Sequence, residues 1–310
     1  MGQKSVCIFP GQGSQKVGMG QDFYENSTLA KEMLEQASDR LKLDFKKLLF
    51  EENTLLDQTE FSQPAILLVS LIAYALFQEK KPSFIPSAFL GHSLGEFSAL
   101  SAAGAMDYCD ALELVHQRGL LMKQACEGKN AGMMALLGLD DSRVEALIQK
   151  AKQEGKSVWA ANYNGDGQIV IAGVRDDLVA LEPIFKEAGA KKSVLLAMSV
   201  ASHCPLLSSA QAPLGSFLDR WLKEHFSAPI ISNVTSKGYS NKEDAKRLLC
   251  EQLVSPVQYK QSILSLENQT DMFIEFGATV LKGLNKRIST HVTHSIVDMK
   301  SLDEVLAFIE

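Results

Sequence analysis

The sequence predicts an α/β fold: a mostly parallel sheet covered by helices, with a ferredoxin-like small domain inserted into it. Three observations carry this reading. Short apolar runs alternate with helix-length segments at both ends of the chain, the pattern of βα units. Between residues 128 and 198 the order becomes βαββαβ, with no repeat elsewhere. A Gly-x-Ser-x-Gly turn, Gly91-His92-Ser93-Leu94-Gly95, separates a short apolar run from a small-residue helix. The large domain is therefore placed at 1–127 and 199–310, and the small one at 128–198.

In order, 6–9 reads as a buried strand and 29–41 as a helix, followed by a polar stretch over 51–61. Residues 64–77 form the longest apolar run, broken by Ser70 and shorter than a membrane span; they read as a buried helix with Pro64 at its first position. A strand at 88–90, the Gly-x-Ser-x-Gly turn, and helices at 94–103 and 108–126 follow. The insertion holds strands at 133–139, 158–163, 168–171 and 193–198 and helices at 142–153 and 178–188. A helix begins near Pro205. The last third alternates again: strands at 230–234, 272–276 and 294–297, helices at 242–253, 257–266 and 280–288.

Composition excludes several classes. Hydrophobic residues make up 46% and charged residues 22% of the 310, ordinary for a globular chain. A net charge of -6 argues against a general polyanion binder, so no nucleic-acid partner is expected. The five cysteines are odd in number and form no C-x-x-C pair, as for reduced thiols. No metal, cofactor or membrane is expected, and the chain is read as a cytoplasmic monomer.

The turn around Ser93 has the form of a nucleophile elbow. Its glycines let strand and helix approach without Cβ clashes, the serine is forced into a strained conformation, and its hydroxyl projects. The Leu94 N–H, at a helix start, is free to donate to an oxyanion. Upstream, Gly11-x-Gly13 follows a strand, but a dinucleotide fingerprint needs glycine where Lys16 stands. Gln12 on that loop can aim an amide N–H at an oxyanion, although spacing alone fits a simple tight turn. Arg118 lies on the polar side of its helix, where a solvated or salt-bridged arginine is the ordinary case. His203 precedes a helix, and five other histidines compete with it for a functional role.

Eight ordered markers then carry a resemblance that covers nearly the whole chain. They are Phe9-Pro-Gly-Gln-Gly-Ser-Gln15, Thr59-Glu-Phe-Ser-Gln-Pro-Ala65, Gly91-His-Ser-Leu-Gly-Glu96, Gln117-Arg-Gly119, Gly167-Gln-Ile-Val-Ile-Ala-Gly173, Ser202-His-Cys204, Ser232-Asn-Val-Thr235 and Gln252-Leu-Val-Ser-Pro-Val257. The chain resembles the bacterial malonyl-CoA:acyl carrier protein transacylases of type II fatty-acid synthesis. The resemblance implies an α/β-hydrolase-like core and two partners, malonyl-CoA and holo acyl carrier protein. It implies Ser93 as acylated nucleophile, His203 as base, Gln12 and Leu94 amides as oxyanion hole, and Arg118 as clamp on the malonyl carboxylate. A backbone carbonyl at Gln252 would orient His203, and Asn162 and Gln63 would line the pocket with Gln252 beside the substrate. An acidic carrier calls for a basic surface, for which Lys191, Lys192, Lys286 and Arg287 are the candidates.

The chain departs from the family at Gly277-Ala-Thr-Val280, where relatives read Gly-Pro-Gly-Lys, and at Ala201, where they often carry proline. Leu94, and the absence of tyrosine at Val200, lean toward malonyl over methylmalonyl. Two other readings share the motif: an α/β-hydrolase esterase or thioesterase, whose acid and histidine usually come late in the chain, and a carrier-binding module that kept the fold.

Overall fold

The computed structural model describes residues 4–198 and 200–309, which build two sheets. Residues 1, 199 and 310, where the two predicted domains begin or end, lie outside the described residues. The strands are β1 (Ser5–Phe9), β2 (Ala88–Gly91), β3 (Ala131–Leu137), β4 (Val158–Gly165), β5 (Gln168–Val174), β6 (Lys192–Leu195), β7 (Ile230–Ile231), β8 (Gly238–Tyr239), β9 (Met272–Phe276) and β10 (Val292–Ile296). The larger sheet runs β10-β9-β1-β2-β7-β8 and is parallel except at the β7–β8 pair. The smaller runs β4-β5-β3-β6, antiparallel throughout, with the first and third strands of the βαββαβ unit at its centre.

The large sheet is covered on both faces, which is why its strands read as unbroken apolar runs. Side chains alternate along β1, so Cys7 and Phe9 enter one core while Val6 and Ile8 enter another with Tyr259, Ile263 and Leu281. Phe9 stacks on Phe276 at 5.6 Å and meets Tyr74 edge-on at 6.0 Å, tying β1 and β9 to the helix Thr59–Lys80.

That helix starts five residues before Pro64 rather than at it. Proline there supplies no N–H to the Glu60 carbonyl, and His116 Nδ1 donates to this oxygen instead at 2.7 Å. The helix has 22 residues, and its apolar stretch, with a mean hydropathy of 1.5, has the composition of a membrane span, but 83% of that stretch is buried by the rest of the chain.

Other boundaries differ from the predicted ones for local reasons. The expected strand at 230–234 ends at Ile231, because Ser232 and Asn233 turn the chain toward β8. The helix expected from 257 starts at Tyr259, since Val257 exchanges backbone hydrogen bonds with Ala161 and Tyr163 of β4. Pro205 opens a 3-10 turn, Pro205–Leu207, before the helix Ser208–Trp221. The helices Gln21–Asn26, Phe45–Phe50 and Met299–Phe308 were not expected; the last carries a capping box between Asp298 and Ser301. At the divergent loop after β9, Glu275 accepts the Leu281 and Lys282 N–H groups at 2.9 and 2.8 Å, capping Val280–Asn285.

Candidate active site

The carboxyl ends of β1 and β2 lie side by side, and the loops leaving them carry Gln12 and Ser93. Gly91 and Gly95 are obligatory: a Cβ on Gly91 would lie 1.8 Å from the Gly95 carbonyl carbon, and one on Gly95 would lie 2.0 Å from the Phe9 oxygen. Between them Ser93 is held at φ +52, a conformation that costs a non-glycine residue about 1–3 kcal/mol and needs support from its surroundings. Asn233 provides it on both sides. Its Oδ1 accepts the Ser93 N–H at 2.6 Å, and its Nδ2 donates to the Gly91 carbonyl at 2.6 Å.

The helix Gly95–Ala102 follows, and its start sets the Ser93 hydroxyl against His203. His203 Nε2 is 2.8 Å from Ser93 Oγ, while its Nδ1 is 2.7 Å from the backbone oxygen of Gln252. A carbonyl can only accept, so Nδ1 carries the proton and Nε2 is left to accept from the serine. The histidine is 2% exposed and sits at φ +60. Burial, and then the charge of Arg118, push its pKa down to about 3, which keeps the imidazole neutral. The third member is a carbonyl, so the group is a dyad with a backbone orienter.

Arg118 projects from the helix Tyr108–Cys126 and is 2% exposed, not solvated. Nη1 donates to Gln63 Oε1 at 2.8 Å; Nη2 donates to Ser93 Oγ at 3.2 Å and to Gln252 Oε1 at 3.1 Å. Its guanidinium carbon lies 5.1 Å from the Phe97 ring centre. Among the described residues its Nε–H has no acceptor. Burial lowers its pKa to about 10, so it remains a cation at neutral pH.

These groups open on a cavity of about 120 Å3 lined by Gln12, Leu94, Arg118, Asn162, Met198 and His203 among others. Among the described residues the backbone N–H groups of Gln12 and Leu94 donate to no backbone oxygen, so both are free at the cavity. The Gln12 side chain is engaged elsewhere, donating to Thr59 Oγ1 at 3.1 Å. Gln63 and Gln252, expected on the pocket wall, are wholly buried behind Arg118 and fix it instead. A larger cavity of about 670 Å3, lined by Glu60, Lys123, Asn130 and Arg175, meets the first at Met198. It contains neither Ser93 nor His203 and adjoins the chemistry without holding it.

Sequence reasoning left three contributors unassigned. The His92 side chain turns to the small sheet, where its Nε2 meets Asn164 Oδ1 at 2.7 Å. Asn233 lies within the quoted Ser232-Asn-Val-Thr235 marker, and Glu96 ends the elbow marker. Both markers were available signals without a chemistry attached to them. Burial pushes the Glu96 carboxyl up to about 7, against three donors and the Arg118 charge that lower it. The four cations proposed for a carrier surface are all exposed. Lys191 packs along Gly138, whose N–H donates to Gly167, while Ile288, next to Lys286 and Arg287, packs on Gly165. Three of them thus flank the β4–β5 turn, next in sequence to Asn164 at the cavity, and Lys192 begins the edge strand β6.

The acyl transferase domain family matches residues 6–296 of the chain. A malonyl CoA-acyl carrier protein transacylase from Staphylococcus aureus (strain MRSA252) is 36% identical over 310 residues, covering 99% of each chain. The crystal structure of the malonyl-CoA:acyl carrier protein transacylase from Helicobacter pylori superposes with a TM-score of 0.96 at 50% identity, covering 99% of this chain and 98% of that one. A malonyl-transacylase solved in complex with a type II PKS acyl-carrier protein superposes with a TM-score of 0.94 at 33% identity, covering 98% and 99%. With an elbow serine, a buried histidine and a buried arginine converging on one cavity, and likeness along its whole length, the chain belongs to the acyl transferase family, among the malonyl-CoA:acyl carrier protein transacylases.

Proposed function

We propose that the chain transfers the malonyl group of malonyl-CoA to the phosphopantetheine thiol of holo acyl carrier protein through a malonyl ester on Ser93, supplying the extender unit for fatty-acid synthesis. The observation that carries this is the placement of one buried cation, Arg118, within 3.2 Å of a serine that also touches a neutral histidine.

The serine hydroxyl gives its proton to His203 Nε2 as Oγ attacks the thioester carbonyl. The oxyanion is received by the N–H groups of Gln12 and Leu94, donors of a kind worth about 2.7–4 kcal/mol each in the transition state. Collapse breaks the C–S bond, and the imidazolium returns its proton to the departing coenzyme A thiolate. In the second half the carrier thiol enters, passes its proton to His203 and attacks the ester; the C–O bond breaks and His203 returns the proton to Ser93 Oγ, leaving the malonyl thioester on the carrier. Arg118 selects the acyl group: its unpartnered Nε–H and planar guanidinium suit the free carboxylate of malonyl, whereas an acetyl group leaves that buried donor unpaired. Asn162 shapes the opposite wall, and no metal or redox cofactor is required. We further assign Lys191, Lys192, Lys286 and Arg287 to the carrier-facing surface, an acidic partner being drawn to exposed cations. Reversing Lys286 and Arg287 to glutamate should raise KM for the carrier and leave KM for malonyl-CoA alone; unchanged carrier kinetics would remove the patch.

The test of the whole reading is intact-protein mass after mixing with malonyl-CoA, followed by holo acyl carrier protein. A malonyl adduct on wild type and not on Ser93→Ala, discharged faster by carrier than by water, is the expected result. No adduct, or one lost at the same rate without carrier, would leave a hydrolase or a binding module.

A further inference from the structure

Glu96 is the most deeply enclosed carboxylate near the site, 1% exposed and three residues after the nucleophile. It touches no substrate-facing surface and makes no ion pair among the described residues. Three donors from three segments converge on it: the Asn233 backbone N–H at 3.1 Å, Gln252 Nε2 at 2.8 Å and the Tyr239 hydroxyl at 2.9 Å.

The Gln252 contact has a directional consequence. A side-chain amide can present either its oxygen or its NH2 edge to a neighbour, and the surrounding partners decide which. Here the NH2 group has two acceptors, Glu96 Oε2 and the Ser93 carbonyl at 3.1 Å. Only the oxygen remains for Arg118 Nη2. Were the amide reversed, two donors would face each other in a buried site, and the guanidinium would lose a charge-assisted bond.

We propose that Glu96 is the positioning residue for acyl selection: by holding the Gln252 N–H it turns the amide oxygen toward Arg118 and so aims the guanidinium for a substrate carboxylate. The inference rests on the acyl-transfer reading of Ser93 and Arg118. It separates two duties of Gln252. The backbone oxygen orients His203 and needs no help from Glu96, while the side chain orients Arg118 and relies on Glu96 for the shorter of the two contacts that hold its NH2 edge. Loss of the acceptor at 96 should therefore harm transfer of carboxylated acyl groups more than transfer of uncharged ones.

The experiment is single-turnover acylation by malonyl-CoA and by acetyl-CoA, read as adduct mass against time. Glu96→Met, which fills the same space without an acceptor, should lower the malonyl-to-acetyl rate ratio about tenfold or more, the size of one hydrogen bond to a charged group. Gln252→Met should lower it similarly, and the double variant no further, because both act through one contact. Glu96→Gln, which keeps an oxygen for Gln252 and Asn233, should hold the ratio within about threefold of wild type. Glu96→Asp keeps the charge but withdraws the oxygen by one methylene; it should shift the ratio in the same direction, and serves if the Met variant does not fold. A wild-type ratio in Met or Asp variants, equal loss for both acyl groups, or a Gln variant as impaired as Gln252→Met would overturn the proposal. Absence of any wild-type adduct would instead overturn the acyl-transfer reading beneath it.

Discussion

The two walls of the cavity are built on opposite plans. On the large-sheet side the lining is polar, buried and crowded with partners. Ser93 and His203 both sit at positive φ, and Asn233, Gln252 and Gln63 hold the atoms around them. On the small-sheet side the lining is Met133, Val170, Leu196 and Met198, with only Asn162 and Asn164 polar. The first wall fixes reacting atoms, which demands strain and paid-up hydrogen bonds. The second is apolar and carries two flexible thioethers, a lining suited to keeping water from an acyl group and to adapting to its shape. They meet where Val257 pairs with Ala161 and Tyr163 at 2.8 and 2.9 Å, five residues beyond the carbonyl that orients His203.

If this division holds, substitutions on the first wall should cost far more than those on the second. Ser93→Ala should lower malonyl transfer by about 10^4 or more, since Ser93 is the cavity-lining serine that His203 Nε2 meets, at 2.8 Å. Arg118→Ala comes next. Malonyl acylation should fall about 10^2 to 10^3, because a carboxylate would enter a buried site without its partner, while acetyl acylation changes much less. The two rates from one stopped-reaction series decide it: equal loss for both acyl groups would make Arg118 a structural residue and blur the contrast between the walls.

The burial of the first wall also has a pH signature. With its pKa lowered to about 3, His203 stays neutral where an ordinary imidazole would charge. Between about pH 7.5 and 5.5 the acylation rate should drop less than about twofold; a free histidine with a pKa near 6.5 would lose about tenfold. The stability sign follows. Below about 6.5 the unfolded chain takes up a proton that folded His203 refuses until about 3, so this contribution to stability is present above 6.5 and lost on acidification through that window. Glu96, raised to about 7, runs the other way: its neutral form favours the fold below about 4.5 and that gain is lost as pH rises through 7.

Legibility in the sequence divides along the same line. The elbow was readable because backbone contact leaves glycine as the sole choice at 91 and 95, and the alternating runs 6–9 and 272–276 announced a covered sheet. Arg118 was not, for a lone helix arginine ordinarily reads as surface. What buries it are Gln63 and Gln252, 55 and 134 positions away in the chain. His203 and the roles of Gln12 and Asn162 came through family resemblance, since no local pattern distinguishes a base from a helix-cap histidine. Glu96 and Asn233 stood inside quoted markers without a role, because their partners belong to other segments of the chain. The start of the Thr59–Lys80 helix was misplaced for the same reason: the group that compensates Pro64 is His116, on another helix.

The smallest expected effect lies on the second wall. Met198 lines both the catalytic cavity and the wider one beside it, so it stands between Ser93, where the proposal puts the malonyl ester, and a roomier, charged space bounded by Lys123 and Arg175. Met198→Ala removes that partition without touching a reacting group. Water then gains access to the ester while His203 and the oxyanion donors remain in place to activate it, so the variant should hydrolyse malonyl-Ser93 a few times faster, about threefold to tenfold. Transfer to carrier should change by less than about threefold, because the thiol attacks from an unaltered geometry. Adduct decay measured with and without holo carrier separates the two rates. Unchanged hydrolysis would mean that the large-sheet wall alone keeps the ester dry, and that the soft wall serves only to shape the acyl pocket.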